Sequence, residues 1–144
     1  MINKGLFTSK TDEWATPQWL FDGISDHYNF VLDVCATKEN TKCNKYYTKE
    51  QDGLSKYWNH TVGWKWMNPP YGREIGKWVQ KASVERKVVA LLPARVDTKW
   101  FHEYIYDKPD TVVTFVKGRV KFGDSKNSAP FPSMIVVFKG YDKE

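Results

Sequence analysis

The residues best suited to chemistry form the run Asn68-Pro69-Pro70-Tyr71-Gly72. The side-chain amide of Asn68 and the backbone carbonyl of Pro69 supply two hydrogen-bond acceptors, and Tyr71 supplies an aromatic ring. These groups match a planar amine, because each carbonyl can accept one of its N–H bonds while the ring stacks beside it. Two acceptors also help to draw an amine out of conjugation as it attacks. The alternative is a rigid turn, since two prolines fix φ and glycine relieves the exit.

A second candidate is Asp33, which interrupts the apolar run Phe30-Val31-Leu32-Asp33-Val34-Cys35-Ala36. A short, nearly continuous apolar run is typical of a strand buried on both faces. An unpaired carboxylate in such a strand is costly, so its presence there needs a reason. Asp33 is therefore a candidate site residue.

The elements that position these candidates can be predicted from hydrophobic spacing. Helices are predicted at residues 17–27, 77–86 and 98–106, and strands at residues 30–36, 62–67, 88–92, 111–116, 119–122 and 134–138. Thr16 followed by Pro17 predicts the N-cap and the first position of the first helix. Strands alternate with helices first and crowd together last, which predicts an α/β fold with a mostly parallel sheet, a C-terminal antiparallel hairpin and helices on both faces. Ligands of such sheets bind beyond the carboxyl ends of the strands, where Asp33 and Asn68 fall.

Composition limits the class of protein. The chain has 144 residues, the size of one domain, and its 22 Lys and Arg against 17 Asp and Glu give a net charge of +5, which favours a polyanionic partner. The two cysteines, Cys35 and Cys43, are too few for a disulfide framework, and the three histidines have no metal-ligand spacing, so we expect no metal site. No apolar stretch reaches the length of a membrane span, and we expect an intracellular, cytoplasmic protein.

An ordered set of motifs resembles the small phage DNA N6-adenine methyltransferases related to Dam, which use S-adenosylmethionine. The motifs run over most of the chain: Asp12-Glu13-Trp14-Ala15-Thr16-Pro17, Asp33-Val34-Cys35-Ala36-Thr37, Asp52-Gly53-Leu54, Trp66-Met67-Asn68-Pro69-Pro70-Tyr71-Gly72, Leu92-Pro93-Ala94-Arg95 and Ala129-Pro130-Phe131-Pro132-Ser133. The Asn-Pro-Pro-Tyr block is the most specific of them for methylation of an amine. The resemblance implies a Rossmann-like methyltransferase sheet.

The resemblance also implies roles for individual residues. It assigns catalysis to Asn68, Pro69, Pro70 and Tyr71, and cofactor binding to Trp14, Thr16, Pro17, Asp33, Cys35, Ala36 and Asp52. Trp14, Thr16 and Pro17 would cover the methionine part of the cofactor, and Asp33 would hold its amino group. Asp52 either contacts the adenosine part or simply opens a turn before a glycine. The chain lacks the glycine-rich loop of most methyltransferases, so small side chains after Asp33 would have to permit close backbone approach.

Basic residues near these motifs are candidates for phosphate contacts: Arg73, Lys77, Arg95 and Arg119. For each of them a solvent-facing charge is the alternative. Arg95 is the strongest candidate, because it follows a buried strand and so falls at the ligand edge of the sheet.

The resulting hypothesis is a single minimal methyltransferase domain over residues 1–144, without a separate target-recognition domain. It would transfer a methyl group from S-adenosylmethionine to the N6 amine of adenine in DNA, with the base flipped from the stack. One alternative is a non-catalytic nucleic-acid binding module that keeps the fold. Another is a methyltransferase acting on an amine or amide in RNA or protein. Neither the target sequence nor the oligomeric state follows from the sequence. If the chain is phage-encoded, the host cytoplasm is the expected location.

Overall fold

The computed structural model describes residues 14–60, 62–123 and 128–140 of the chain. Within these residues the helices are α1 (Gln18–Ser25), α2 (Ile75–Glu85) and α3 (Lys99–Tyr104), together with a short 3₁₀ helix (Gly53–Ser55). The strands are β1 (Phe30–Asp33), β2 (Trp64–Met67), β3 (Val88–Pro93), β4 (Thr111–Phe115) and β5 (Ser133–Phe138). None of the described helices is both long and apolar enough to span a bilayer.

The five strands form one mixed sheet in the order β1-β2-β3-β5-β4. β1, β2 and β3 pair in parallel, whereas β5 pairs antiparallel with both β3 and β4. The prediction of an α/β fold that is parallel first and antiparallel last is therefore confirmed. Because β1, β2 and β3 are parallel, their carboxyl ends lie at the same edge of the sheet, and the predicted site residues follow those ends.

The core surrounds the central strand. Every residue of β3 is buried, as expected for an apolar strand covered on both faces. Trp58, Trp66 and Trp78 are buried, and Trp64 and Trp100 pack against the same core. These five tryptophans therefore serve the core and are not exposed base-stacking platforms.

The predicted strand at residues 119–122 is wrong. Val120 and Phe122 are buried, but their backbone forms a loop that bonds to two different segments. The carbonyl of Val120 accepts the N–H of Ala129 at 2.8 Å, whereas the N–H of Gly123 donates to the carbonyl of Ala15 at 2.8 Å. An alternating apolar pattern indicates that every second side chain is buried. Here the packing of a loop buries Val120 and Phe122, and no strand pairing is involved.

The predicted start of the first helix is also wrong by one residue. Pro17 is the N-cap, with φ −61° and ψ 141°, and the helix begins at Gln18 without a side-chain cap. Leu20 and Phe21 donate their N–H groups to the Pro17 carbonyl. The Thr16 hydroxyl is buried and has a different partner, described below.

β1 is shorter than predicted and ends at Asp33, although the N–H of Val34 still donates to the Trp66 carbonyl of β2 at 3.1 Å. A later segment bonds to the outer side of this strand end. The N–H of Asp33 donates to the Lys45 carbonyl, and the Asp33 carbonyl accepts the N–H of Tyr47, each at 3.0 Å. The N–H of Ala36 also donates to the Tyr47 carbonyl at 3.0 Å. Residues 45–47 thus lie along the outer side of β1 and hold the loop that follows it.

Candidate active site

Asn68 follows the carboxyl end of β2 and is held there by the segment before α1. Its side-chain nitrogen donates to the backbone carbonyl of Trp14 and to the Thr16 hydroxyl oxygen, the latter at 2.8 Å. A backbone carbonyl can only accept, so the atom facing Trp14 must be the amide nitrogen. These two bonds therefore fix the orientation of the Asn68 amide.

The opposite atom of this amide is the most informative one in the site. Asn68 Oδ1 is buried and has no hydrogen-bond partner among the described residues. Leaving a buried amide oxygen unpaired costs about 1–3 kcal/mol, so such atoms are uncommon in native structures. The neighbouring Pro69 carbonyl likewise receives no hydrogen bond from the described chain. The motif thus presents the two acceptors expected from its sequence.

Tyr71 is buried, with 3% of its surface exposed. Its hydroxyl donates to the Leu91 carbonyl of β3 at 2.9 Å, which ties the motif to the central strand. Burial raises the pKa of this hydroxyl well above its usual value, and the nearby Arg95 partly opposes that shift. The ring packs edge-to-face against Phe122 and Phe131 at centroid distances of 6.1 and 5.6 Å.

Trp14 belongs to the same aromatic cluster, defined here as Trp14, Tyr71, Phe122 and Phe131. The indole ring lies 5.5 Å from Phe122 and 5.1 Å from Phe131, both edge-to-face. The bond between Gly123 and Ala15 joins the two segments behind these rings. The aromatic cluster therefore joins the Asn68 motif to Trp14, which precedes the three parallel strands in the sequence, and to Phe122 and Phe131, which follow them.

Asp33 lies at the end of β1, beside β2, with 2% of its surface exposed. One carboxylate oxygen accepts the N–H of Cys35 at 3.3 Å and the other accepts the N–H of Lys42 at 3.0 Å. Burial raises the pKa of Asp33 to about 7, although these two bonds and the charge of Lys42 oppose it. The Lys42 ammonium donates to Gln18 at 2.9 Å, and no salt bridge is formed by Asp33 in the described chain.

Two backbone N–H groups in the loop after Asp33 are already hydrogen-bonded within the protein. The N–H of Cys35 bonds to Asp33, and the N–H of Ala36 bonds to Tyr47. Ala36 is buried and Cys35 is half-buried. These two N–H groups are therefore not available to a ligand. A ligand that approaches the loop would instead contact the small side chains of Cys35 and Ala36.

Asp52 is brought to the same end of β1 by its neighbour. Gly53 lies directly against the Val34 carbonyl, and its own carbonyl accepts the indole N–H of Trp58 at 2.9 Å. Asp52 is the N-cap of the 3₁₀ helix, with φ 58°, but its carboxylate makes no capping bond. Its exposed carboxylate is therefore not needed for the turn itself.

The predicted basic residues differ in their relation to this edge. Arg95 is half-buried after β3, and its guanidinium donates to the Tyr71 carbonyl at 3.4 Å. Arg73 and Arg119 are exposed, without a hydrogen bond to the motif among the described residues. Lys77 is exposed on α2 and pairs with Glu74 at 3.2 Å. Of the four, Arg95 is the one that the structure joins to the Asn68 motif by a hydrogen bond.

Several groups that shape the site escaped the sequence analysis. The N–H of Lys42 and the Leu91 carbonyl are backbone groups and have no sequence signature. Phe122 lies in a segment predicted as a strand, so its contact with Trp14 was not foreseen.

Ser133 Oγ is a second buried side-chain atom without a partner in the described chain, at the start of β5 beside Pro93. No three metal-binding side chains come together in the part of the chain that the structure describes.

Comparison with known proteins agrees with this arrangement. The profile of the family described as DNA N-6-adenine-methyltransferase (Dam) matches residues 4–144. The chain is 32% identical over 150 residues to the DNA N-6-adenine-methyltransferase of Haemophilus phage HP1 (strain HP1c1), covering 96% of this chain and 85% of that relative. It is also 32% identical over 96 residues to the DNA N-6-adenine-methyltransferase of Escherichia phage T1, covering 64% of this chain and 40% of that relative.

The chain therefore belongs to the DNA N-6-adenine-methyltransferase (Dam) family. The resemblance drawn from the sequence motifs is confirmed over almost the whole chain. Asp12 and Glu13 of the first motif lie outside the described residues.

Proposed function

We propose that this protein transfers a methyl group from S-adenosylmethionine to the N6 amine of adenine in DNA, with the target base flipped out beside Asn68. Membership in the Dam family supports an adenine-specific DNA methyltransferase as the class of enzyme. The observation that carries the site assignment is the buried, unpartnered Oδ1 of Asn68. An amine placed against this atom would supply the hydrogen bond that it lacks.

The side-chain oxygen of Asn68 and the backbone carbonyl of Pro69 act on the amine by accepting hydrogen bonds from its two N–H groups. In a buried site these bonds are stronger than in water, because the local dielectric constant is low. Acceptors on both N–H bonds favour an amine whose lone pair points out of the ring plane, toward the methyl donor. The amide orientation is set beforehand by Thr16 and Trp14, so no reorganisation is needed at the moment of reaction.

Asp33 fits the amino group of the cofactor. Its carboxylate is buried, accepts only backbone N–H groups among the described residues and has a pKa raised to about 7. A cationic ammonium group beside it would favour the charged carboxylate and offset the cost of burial. S-adenosylmethionine, when bound, supplies a methyl group on a positively charged sulfur, which makes that methyl electrophilic.

The other predicted cofactor residues have supporting positions. Trp14, Thr16 and Pro17 precede α1, and the first two bond to Asn68, while Cys35 and Ala36 follow Asp33. Asp52 is joined to the same strand end through Gly53. We propose that these residues surround the cofactor between β1 and the Asn68 motif, within a Rossmann-like sheet that carries helices on both faces.

DNA contacts are proposed for Arg95 first, with Arg73, Lys77 and Arg119 as outer contacts. The hydrogen bond from Arg95 to the Tyr71 carbonyl supports a position at the edge where a flipped nucleotide would enter. The Tyr71 ring packs within the aromatic cluster. Stacking of the base on this ring stays a prediction. The phage origin of the relatives supports action in the cytoplasm of a bacterial host.

The test is mass spectrometry of nucleosides from DNA that lacks adenine methylation, after incubation with protein and S-adenosylmethionine. Asn68→Ala is compared with the parent protein and with Asn29→Ala, an exposed asparagine at the opposite end of β1. We expect N6-methyladenine with the parent and with Asn29→Ala, and none with Asn68→Ala, which should still fold.

Two results would contradict the proposal. Methylation by Asn68→Ala at the parent rate would remove the role of the amide oxygen. Absence of N6-methyladenine with the folded parent protein on several DNA substrates would direct the same assay to RNA and protein. A nucleic-acid binding module would bind DNA in a salt-dependent manner without a saturable site for S-adenosylmethionine.

A further inference from the structure

The two outer strands of the sheet differ in what lies beyond them. Residues 45–47 bond to Asp33, the last residue of β1, and to Ala36, and so cover the carboxyl end of that edge. β4 forms the other edge and pairs with β5 alone in the described chain. It contains no proline, no charged residue and no bulge between Thr111 and Phe115, the features by which native edge strands avoid pairing. Among the described residues, β4 is therefore open to another strand along its whole length.

Hydrogen bonds at the two ends of β4 determine which of its groups point outward. The N–H of Val116 donates to the Ser133 carbonyl at 2.9 Å, and the Asp110 carbonyl accepts the N–H of Lys139 at 2.8 Å. Even-numbered residues therefore direct their backbone groups toward β5, because the pattern alternates along an antiparallel strand. The odd-numbered residues direct theirs toward the open edge: Thr111, Val113 and Phe115.

We propose that β4 pairs antiparallel with β4 of a second copy of this chain, about a two-fold axis at Val113. The N–H of Val113 in each copy then donates to the Val113 carbonyl of the other copy. Thr111 faces Phe115 of the second copy, and the reverse pair follows from symmetry. Facing pairs of this kind exchange two N–H···O bonds, so all outward groups of β4 are satisfied.

The side chains of β4 suit this register. Val112 and Phe115 are 44% and 59% exposed, unusually high values for apolar residues of a strand. In the paired sheet, Val112 lies opposite Thr114 of the second copy, and Phe115 lies opposite Thr111. Pairs of β-branched and aromatic side chains are favourable across antiparallel strands. The pairing would therefore shield apolar surface as well as backbone groups.

Charge is the observation that favours a second copy over an unrelated strand. Asp107 and Asp110 lie before β4, with Lys108 between them, whereas Lys117, Arg119 and Lys121 follow it. All of these side chains are exposed. Antiparallel pairing of two identical strands brings the acidic end of each copy to the basic end of the other. Asp110 directly precedes β4 and Lys117 lies two residues after it, so the pairing brings Asp110 of each copy near Lys117 of the other.

The first test is amide hydrogen exchange, followed by NMR, together with molar mass by sedimentation equilibrium. We expect a mass of about twice 16.9 kDa for the parent protein, with slow exchange along the whole of β4. Upon dilution to the monomer, exchange should accelerate at Thr111, Val113 and Phe115 but stay slow at Val112 and Thr114, whose amides bond to β5. Slow exchange of the outward amides in a protein with the mass of one chain would overturn the proposal.

Two variants test the same edge independently of catalysis. Val113→Pro removes an outward N–H without removing a bond to β5, and Phe115→Lys places a charge on the exposed edge. Val84→Lys on α2 is the control, because Val84 is also an exposed valine, at 71%. Both edge variants should remain folded and shift to the mass of one chain, whereas the control should match the parent. A parent protein that is monomeric at all concentrations, or edge variants that remain dimeric, would refute this interface.

Discussion

A Cβ atom placed on Gly53 would lie 2.2 Å from the carbonyl oxygen of Val34 and 3.1 Å from the ring of Trp78. Only glycine permits this approach, and the approach sets the segment from Asp52 onward against the end of β1. The end of the strand that carries Asp33 is thus packed directly against the backbone of Gly53. The size of one side chain determines how close the two segments can be.

We therefore expect Gly53→Ala to destabilise the protein by about 1–3 kcal/mol, the usual cost of overpacking against rigid neighbours. Gly23→Ala is the matched control, because Gly23 lies in α1 with nothing within 4 Å of the added methyl group. That substitution should be stabilising by up to about 1 kcal/mol, through helix propensity. Urea denaturation of both variants measures the difference, and equal effects would contradict the assigned contact.

Removal of the Thr16 hydroxyl should slow turnover. Thr16→Val keeps the side-chain shape but leaves the Asn68 amide held by Trp14 alone, so the amide can turn away from the amine. Loss of one neutral hydrogen bond predicts a roughly two- to tenfold lower kcat, with little change in KM for DNA. Thr16→Ser keeps the hydroxyl and should restore most of the rate.

The same kinetics distinguish the two roles that have been assigned to Thr16. If Thr16 mainly contacts the cofactor, as the family resemblance implies, Thr16→Val should raise KM for S-adenosylmethionine and leave kcat near the parent value. A split of this kind would contradict the positioning role.

Asp33 predicts a particular pH dependence of stability in the protein without cofactor. Its pKa rises from a usual value of 3.8 to about 7 on folding, so the folded state holds a proton that the unfolded state releases. Stability from this group is therefore full below pH 3.8 and is lost as the pH rises to about 7. The loss amounts to about 4 kcal/mol at 1.36 kcal/mol for each unit of pKa shift.

Denaturation of the parent and of Asp33→Asn at pH 4.5 and pH 8 tests this prediction. The asparagine does not titrate, so the parent should lose stability relative to the variant between these two pH values. A constant difference between the two proteins would mean that burial does not perturb the carboxyl group. Addition of S-adenosylmethionine should reduce the loss for the parent, because its ammonium group would stabilise the charged carboxylate.

Arg95 should contribute to DNA affinity through phosphate. Arg95→Gln should weaken DNA binding and reduce the slope of log affinity against log salt concentration by about 0.9, the change expected for one phosphate contact in a duplex. Lys99→Gln on α3 is the control, because the Lys99 side chain is 88% exposed and its ammonium group pairs with Glu103 on the same helix. Fluorescence anisotropy over a range of salt concentrations measures both slopes. Equal slopes for the two variants would remove Arg95 from the interface.

The sheet could largely be predicted because its signals are local. The run Val88–Pro93 is apolar and unbroken, and it forms the central strand. Residues 119–122 show how this reasoning fails, since Val120 and Phe122 are buried in a loop, where Phe122 packs on other rings and no ladder forms. Hydrophobic alternation reports burial, and the partner that causes it can lie far away in the sequence.

The candidate site was predicted in its residue types and in their place at the sheet edge. Thr16 illustrates what could not be foreseen. A threonine before a proline has the local pattern of a helix cap, but its hydroxyl serves an asparagine 52 residues later. The bond from the N–H of Lys42 to Asp33 was also out of reach, because any residue type can supply that donor.

The bond between Ala15 and Gly123, together with the packing of Trp14 on Phe131, has a consequence for synthesis. During translation the segment that orients Asn68 is made early, whereas the rings that pack behind it emerge more than a hundred residues later. Contacts with so large a sequence separation form late in folding. A ribosome-bound chain that has completed its parallel strands would therefore still lack Phe122 and Phe131, the two rings on which Trp14 packs. Competence for chemistry would then arise in a single late step, when the last strands join the sheet.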